Sequence, residues 1–286
     1  MRDAAEIPNG VHTVELAGRA SQAVAYAEQG VGDDTVFLFH GVTANHRVWS
    51  PVQRVLAASA RVIAVDQRGH GRSGKPASGY TADDYANDIG ALVEALGGSG
   101  RNVLVGHSLG SRNSIVAGER FPGLIDGVVA IDFTPFIEAE VFDTLAARVG
   151  SGDKTFGSFT EIEAYLQQRY PLMPRDAVAR RAAYGYVEET GVLRPLASPE
   201  AMQQTVAGLR AELSESYSRL TVPTVVVRGA ESALVTETAF ERSRALRPDF
   251  SYETVAGADH YVPEEQPEAI AGIVSALIDR LPQNHH

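Results

Sequence analysis

Residues 106–110 read GHSLG, and the serine at their centre has both the type and the setting for nucleophilic chemistry. The apolar run RNVLV precedes this stretch and SRNSIVAGER follows it, so Ser108 falls where a buried strand turns sharply into a helix. Flanking glycines allow a strained turn that lifts the hydroxyl above a sheet. The helix after it aims unpaired N–H groups and a dipole at the same point, which favours negative charge there. An ordinary serine in a glycine-rich turn is the plain alternative, and the strand and helix on either side argue against it. A second stretch agrees. FLFHGVTANHRVW (37–49) ends a buried strand at His40-Gly41, where a loop N–H can face the serine. The backbone N–H groups of Val42 and Leu109 are the expected oxyanion donors, each typically worth about 10²–10³ in rate. His40 is read as a structural residue at a strand end. In AVDQRGHGRS (64–73), Asp66, Arg68 and the glycines predict a tight hydrogen-bonded loop beside the oxyanion loop, with His70 structural.

Positioning these groups requires a sheet. Short apolar strands are predicted at 11–16, 22–28, 35–40, 61–66, 101–107, 127–132, 224–229 and 251–257, alternating with helices near 46–58, 82–97, 109–120, 236–246 and 267–281. That alternation predicts a mostly parallel eight-stranded α/β sheet covered on both faces. Between Pro135 and about Thr221 it stops. The segment has helical periodicity, no convincing strand, and breaks at Gly150, Pro171, Pro174 and Pro195. It reads as a helical cap, 136–220, inserted after the sixth strand of a core formed by 1–135 and 221–286.

These elements, in this order and spacing, resemble the α/β-hydrolase fold superfamily over about two-thirds of the chain. The resemblance extends to AGADHYVPEEQPEAI (256–270), where a strand, a glycine-bearing loop, His260 and an acid-rich helix start follow one another. It implies that His260 is the general base for Ser108. It also raises the question of the third member. Superfamily members most often carry an acid after the seventh strand, yet here that loop reads RGAESALV (228–235), with Ser232 in the aspartate slot and Glu231 one residue early. A minority place it after the sixth strand in an Asp-x-x-Pro sequence, and VVAIDFTP (128–135) fits that pattern. Asp132 is therefore assigned to His260, with Glu231 as the fallback and a mere strand-ending, helix-capping aspartate as the plain reading.

Two cap segments carry an arginine where an apolar stripe should continue. SFTEIEAYLQQRYP (158–171) opens on a capping-box pattern, Ser158 to Glu161, and runs Ile162, Tyr165, Leu166, then Arg169; VFDTLAARV (141–149) runs Val141, Leu145, then Arg148. Both arginines either snorkel to water near helix C-termini or line the cavity over Ser108 as clamps for carboxylates. The combination of HGVTANHRVW, GHSLGSRNS, AIDFTPF, GADHYVP and the cap arginines is similar to superfamily members that cleave an amide in a small dicarboxylate. The competing readings are a carboxylesterase, lactonase or C–C bond hydrolase on another acidic substrate, and a hydrolase-fold receptor without turnover. Dehalogenase and epoxide-hydrolase families usually use an aspartate where Ser108 stands.

Composition narrows the field further. With 286 residues, 44% hydrophobic, the chain can bury a substantial core, and its length allows one large domain or two small ones. Its 25 basic and 36 acidic residues leave −11, which repels nucleic acid and anionic membranes, so a small anionic substrate needs local arginines. The absence of cysteine excludes disulfides, thiolate nucleophiles and Cys-bearing zinc sites. The expected chemistry needs no metal or organic cofactor. MRDAAEIPNGVH lacks an apolar leader core and no run approaches a membrane span, so a cytoplasmic location is expected. Oligomeric state, a homodimer included, is left open.

Overall fold

The computed structural model describes residues 10–16, 23–150 and 154–283; the leader reading at the N-terminus and Gln22 of the second predicted strand lie outside them. In chain order the first part comprises β1 (Val11–Glu15), β2 (Ala23–Gln29), β3 (Thr35–Phe39), a 3-10 turn (His46–Trp49) leading into α1 (Ser50–Leu56), β4 (Arg61–Val65), α2 (Ala82–Leu96), β5 (Asn102–His107), α3 (Leu109–Arg120) and β6 (Gly127–Ile131). An inserted stretch follows: α4 (Ala139–Gly150), α5 (Phe159–Arg169), α6 (Arg175–Gly185), β7 (Tyr186–Glu189), β8 (Val192–Pro195), α7 (Pro199–Leu209) and α8 (Ser214–Arg219). The chain then returns through β9 (Thr224–Gly229), α9 (Glu237–Leu246), β10 (Ser251–Val255), α10 (Val262–Glu265) and α11 (Pro267–Arg280).

Eight strands form one sheet in the order β1-β2-β4-β3-β5-β6-β9-β10. Only β1 with β2 and β2 with β4 pair antiparallel; the other neighbours are parallel. The central strands are apolar at successive positions because both faces are covered, and every residue of β3 and β6 is buried. Alternation sends Phe37, Phe39 and Ile63 into one layer with α2 and α3, and Val36, Leu38 and Val62 into the other with α1 and α11. Parallel register matters most for the site. Phe39 pairs with Gly106, His107 with Ile131, and Ile131 with Val227, so the loops after β3, β5, β6 and β9 leave the sheet at one edge.

The inserted stretch departs from the sequence reading first in its secondary structure. It contains a two-stranded hairpin, β7 with β8, in YVEETGVLRP. Thr190 and Gly191 both take positive φ, 50° and 82°, the signature of a two-residue hairpin turn. Strands of four residues carry too little periodicity to compete with the helical pattern around them. Pro195, read as a helix break, ends β8. The Ser158 cap forms on one side only: its Oγ accepts from Glu161 N at 3.3 Å, while the Glu161 carboxylate reaches back past it to Gly157 N at 2.9 Å. Hairpin, α5 and α6 share a small core of their own around Phe156, Ile162, Leu166 and Leu193. By contrast Met202, Val206 and Leu209 of α7, and Tyr217 of α8, join the main sheet layer.

Candidate active site

Ser108 sits between β5 and α3 with φ 54° and ψ −114°, a conformation that L-residues rarely adopt. The neighbouring glycines are required by space: a Cβ on Gly106 would come within 2.3 Å of Gly110 backbone, and one on Gly110 within 2.1 Å of Phe39 O. Of the four non-glycine residues with positive φ among the described residues, Thr43, Ser108 and Asp132 all lie at this edge of the sheet. Strain of that kind persists only where surrounding structure enforces it. The loop after β3 packs directly on the serine, since a methyl at Gly41 would lie 3.3 Å from Ser108 Cβ. Among the described residues, neither Val42 N–H nor Leu109 N–H donates to a protein acceptor, so both remain available to a ligand oxygen.

Asp132 is wholly buried beyond β6, and its Oδ2 lies 2.7 Å from His260 Nδ1. An ionised carboxylate only accepts, so Nδ1 carries the imidazole proton and Nε2 presents its lone pair. Gly229 N–H also donates to Asp132 Oδ1 at 3.1 Å, and Ser232 Oγ–H to Oδ2 at 2.6 Å. Leu234 N–H and Val235 N–H donate to the same Ser232 oxygen at 3.2 and 3.1 Å. With its lone pairs engaged by those two donors, the Ser232 hydroxyl directs its hydrogen to Asp132. The residue standing in the usual acid slot thus donates to the aspartate at the end of the neighbouring strand, a contact the sequence reading did not assign. Glu231 is exposed, and its N–H bonds to Ala258 O at 2.9 Å. Ser108 Oγ and His260 Nε2 form no hydrogen bond to each other; contacts of this kind often tighten only with substrate bound.

The adjoining loop is held as its glycines suggest. Asp66, fully buried, accepts from His46 N at 2.7 Å, His46 Nδ1 at 2.8 Å and Arg72 N at 2.8 Å. Burial pushes its carboxyl upward, but His46 and the Arg72 N–H outweigh it and bring the pKa down to about 2. Burial lowers His40 to about 4 and His70 to about 3, so both are neutral near pH 7. His40 Nδ1–H donates to Gly41 O and its Nε2 accepts from Gln67 N, which fixes the start of the loop after β3. His70 Nδ1–H donates to Arg68 O.

A cavity of about 110 Å³ lies under the inserted helices, bounded by Thr43 and Ala44 on one side and by Arg47, Arg148, Arg169, Arg180 and Arg181 among others. It reaches the loop after β3; Ser108 and His260 are not part of its wall. Arg169, half-buried like Tyr165, continues the stripe of buried Ile162 and Leu166, as its spacing predicts, and donates to Tyr165 OH at 2.5 Å and Tyr170 OH at 3.0 Å. Arg148 also lines the cavity but is exposed, because α4 turns Phe142, Leu145, Ala146 and Val149 inward instead of the stripe beginning at Val141. Arg181 is a residue the sequence reading missed. Its guanidinium bonds both Glu264 oxygens, with Nε at 2.9 and 3.0 Å, and lies over the Tyr170 and Tyr261 rings. Burial opposes that charge, and Glu264 more than restores it, raising the pKa above its ordinary value. Nothing in RDAVARRAAYG separates Arg181 from Arg180, since its partner is 83 residues away. Among the described residues no group of three His, Cys, Asp or Glu side chains is placed to hold a metal ion, and no helix is long and apolar enough to cross a membrane.

A serine on a strained strand-to-helix turn, with a histidine–aspartate pair at the same ends of the parallel strands, is the arrangement of a class of hydrolase. Residues 36–273 match the model of the alpha/beta hydrolase family, and the chain belongs to that family. It is similar to the 2-(acetamidomethylene)succinate hydrolase of Mesorhizobium japonicum, 48% identical over 252 residues that cover 88% of this chain and 90% of that protein. The crystal structure of E-2-(acetamidomethylene)succinate hydrolase superposes with a TM-score of 0.89 at 45% identity, covering 94% of this chain and 98% of that one. The thioesterase domain from the curacin biosynthetic pathway, at 20% identity and a TM-score of 0.79 over 93% and 98% of the chains, shares the fold alone.

Proposed function

We propose that this chain hydrolyses the amide of (E)-2-(acetamidomethylene)succinate, with Ser108 as nucleophile, His260 as base and Asp132 as its carboxylate. The observation that carries the reading is the Asp132–His260 contact of 2.7 Å, together with a cavity at Thr43 and Ala44 that is walled by arginines. Near-full-length similarity to the Mesorhizobium hydrolase supports the choice of substrate. The reading treats 136–220 as the cap over a core of 1–135 and 221–286, and takes Arg148 and Arg169 as clamps for the two carboxylates.

Ser108 Oγ attacks the acetyl carbonyl carbon while His260 Nε2 takes its proton, and Asp132 stabilises the imidazolium that results. The tetrahedral oxyanion sits against the N–H groups of Val42 and Leu109. Collapse breaks the C–N bond, and His260 returns the proton to the departing enamine nitrogen. One water then attacks the acyl-serine and releases acetate. A second water hydrolyses the freed enamine to ammonia and an aldehyde, which loses carbon dioxide to leave succinic semialdehyde.

Incubation of the protein with the E isomer tests this directly. Acetate, ammonia and succinic semialdehyde are expected in equal amounts, and Ser108→Ala should release none while keeping its far-UV circular dichroism. Failure of the wild-type protein to release acetate, or turnover surviving in the variant, overturns the reading.

A further inference from the structure

His107 lies immediately before the serine and is 3% exposed. Its Nε2 is 2.7 Å from His260 O, and its ring centroid is 4.7 Å from that of His260. A carbonyl only accepts, so Nε2 carries the proton. A methyl at Gly41 would come within 3.1 Å of the opposite nitrogen, Nδ1, which places the same ring against the oxyanion loop. Along the sheet His107 pairs with Ile131, the residue before Asp132. One imidazole therefore meets the elements that carry nucleophile, oxyanion donors, acid and base.

The hydrogen bond to His260 O has a particular geometric effect. Asp132 orients the His260 ring through Nδ1, but a ring contact alone leaves the loop backbone free to shift. Glu231 N–H and the Glu265 carboxylate tie the preceding residues, Ala258 and Asp259, and two contacts hold the peptide groups of His260 itself: Asp259 Oδ1 accepts from His260 N at 2.6 Å, and His107 donates to the His260 carbonyl. The second of these starts from the residue covalently joined to Ser108. It links nucleophile and base, whose positions are 152 residues apart in the chain, through one side chain instead of through the whole sheet. We propose that His107 is a positioning residue that sets the distance between Ser108 Oγ and His260 Nε2. The inference rests on the triad reading above. Burial and the neighbouring His260 hold the His107 pKa well below its ordinary value, so the ring packed on His260 stays uncharged when His260 takes up a proton.

Two amides separate positioning from packing. Glutamine places an N–H₂ near the position of a histidine Nε2 and can still reach the His260 carbonyl, whereas asparagine is one carbon too short. His107→Asn is expected to lower kcat about 10²-fold, as a misplacement near 1 Å does, with KM kept within about twofold because the substrate-holding groups are untouched. His107→Gln should recover most of that loss. A fluorophosphonate that reacts with activated serines, used as a substrate-independent probe, should label the asparagine variant more slowly by a similar factor. Equal kcat in the two variants, or failure of both to fold, makes His107 a packing residue and overturns the proposal. The triad reading fails separately, if Ser108→Ala takes up the probe as fast as the wild type.

Discussion

At the scale of single residues, the acid shows what spacing can and cannot specify. Asp132 and Glu231 are both carboxylates near strand ends, and only burial and reach separate them. Asp132 is fully buried with three donors on its two oxygens, while Glu231 faces solvent. Asp132→Asn should therefore lower kcat by about 10⁴-fold, the loss expected when the base keeps its place but takes the wrong tautomer. Glu231→Gln should leave kcat within about twofold, as exposed substitutions away from a site do. Steady-state kinetics on the purified variants decides the matter, and the reverse ranking would remove Asp132 from the triad. Ser108 was legible from its glycine-flanked break between strand and helix, whereas Asp132 and His260 were assigned through the resemblance that IDFTP and GADHYVP carry. Ser232 and His107 were legible in neither way, because their partners lie 100 and 153 residues away. A serine in an aspartate slot says that the acid is missing there, not that the serine donates to the one that replaces it.

At the scale of elements, α5 carries its arginine as periodicity predicts, and α4 does not. A helix stripe can be drawn through several sets of residues, and which set faces inward depends on what the helix meets. Leu145 belongs to both readings of α4, but Phe142, Ala146 and Val149 complete the observed face. Arg148 and Arg169 nevertheless reach the same cavity. Each charge-assisted hydrogen bond lost is worth about 1.5–3 kcal/mol, or roughly 10- to 100-fold in kcat/KM. Arg148→Ala and Arg169→Ala are expected to lose that much on the dicarboxylate amide and little on a neutral acetyl ester. Comparing the two substrates on each variant makes the test; equal losses on both would remove the arginines as carboxylate clamps.

At the scale of the whole molecule, the inserted stretch is less separate than its place in the chain suggests. Met202, Val206, Leu209 and Tyr217 are buried in the same layer as Phe37, Ile115 and Val226. The buried pair Arg181–Glu264 joins α6 to α10, just after His260. Removing one partner of such a pair typically costs about 3–5 kcal/mol, so the halves are coupled. Thermal or denaturant unfolding should therefore follow one transition. Trp49, the single tryptophan, is fully buried beside the sheet and reports the core alone by fluorescence, while far-UV circular dichroism sums the helices of core and insert. Midpoints that differ between the two probes would show that the insert melts on its own.

The sequence by itself determined the alternation of strands and helices, the turn that holds Ser108, the loop that carries His260 and the aspartate that ends β6. All of these are local: periodicity, glycine spacing and a polar residue at a strand end act over a few residues. Tertiary structure decided the direction of the Ser232 hydroxyl, the contact of His107 with the base, the pairing of Arg181 with Glu264 and the inward face of α4. Those depend on which distant groups parallel register and the packing of the inserted helices bring within hydrogen-bond reach, and a linear pattern contains no measure of that distance.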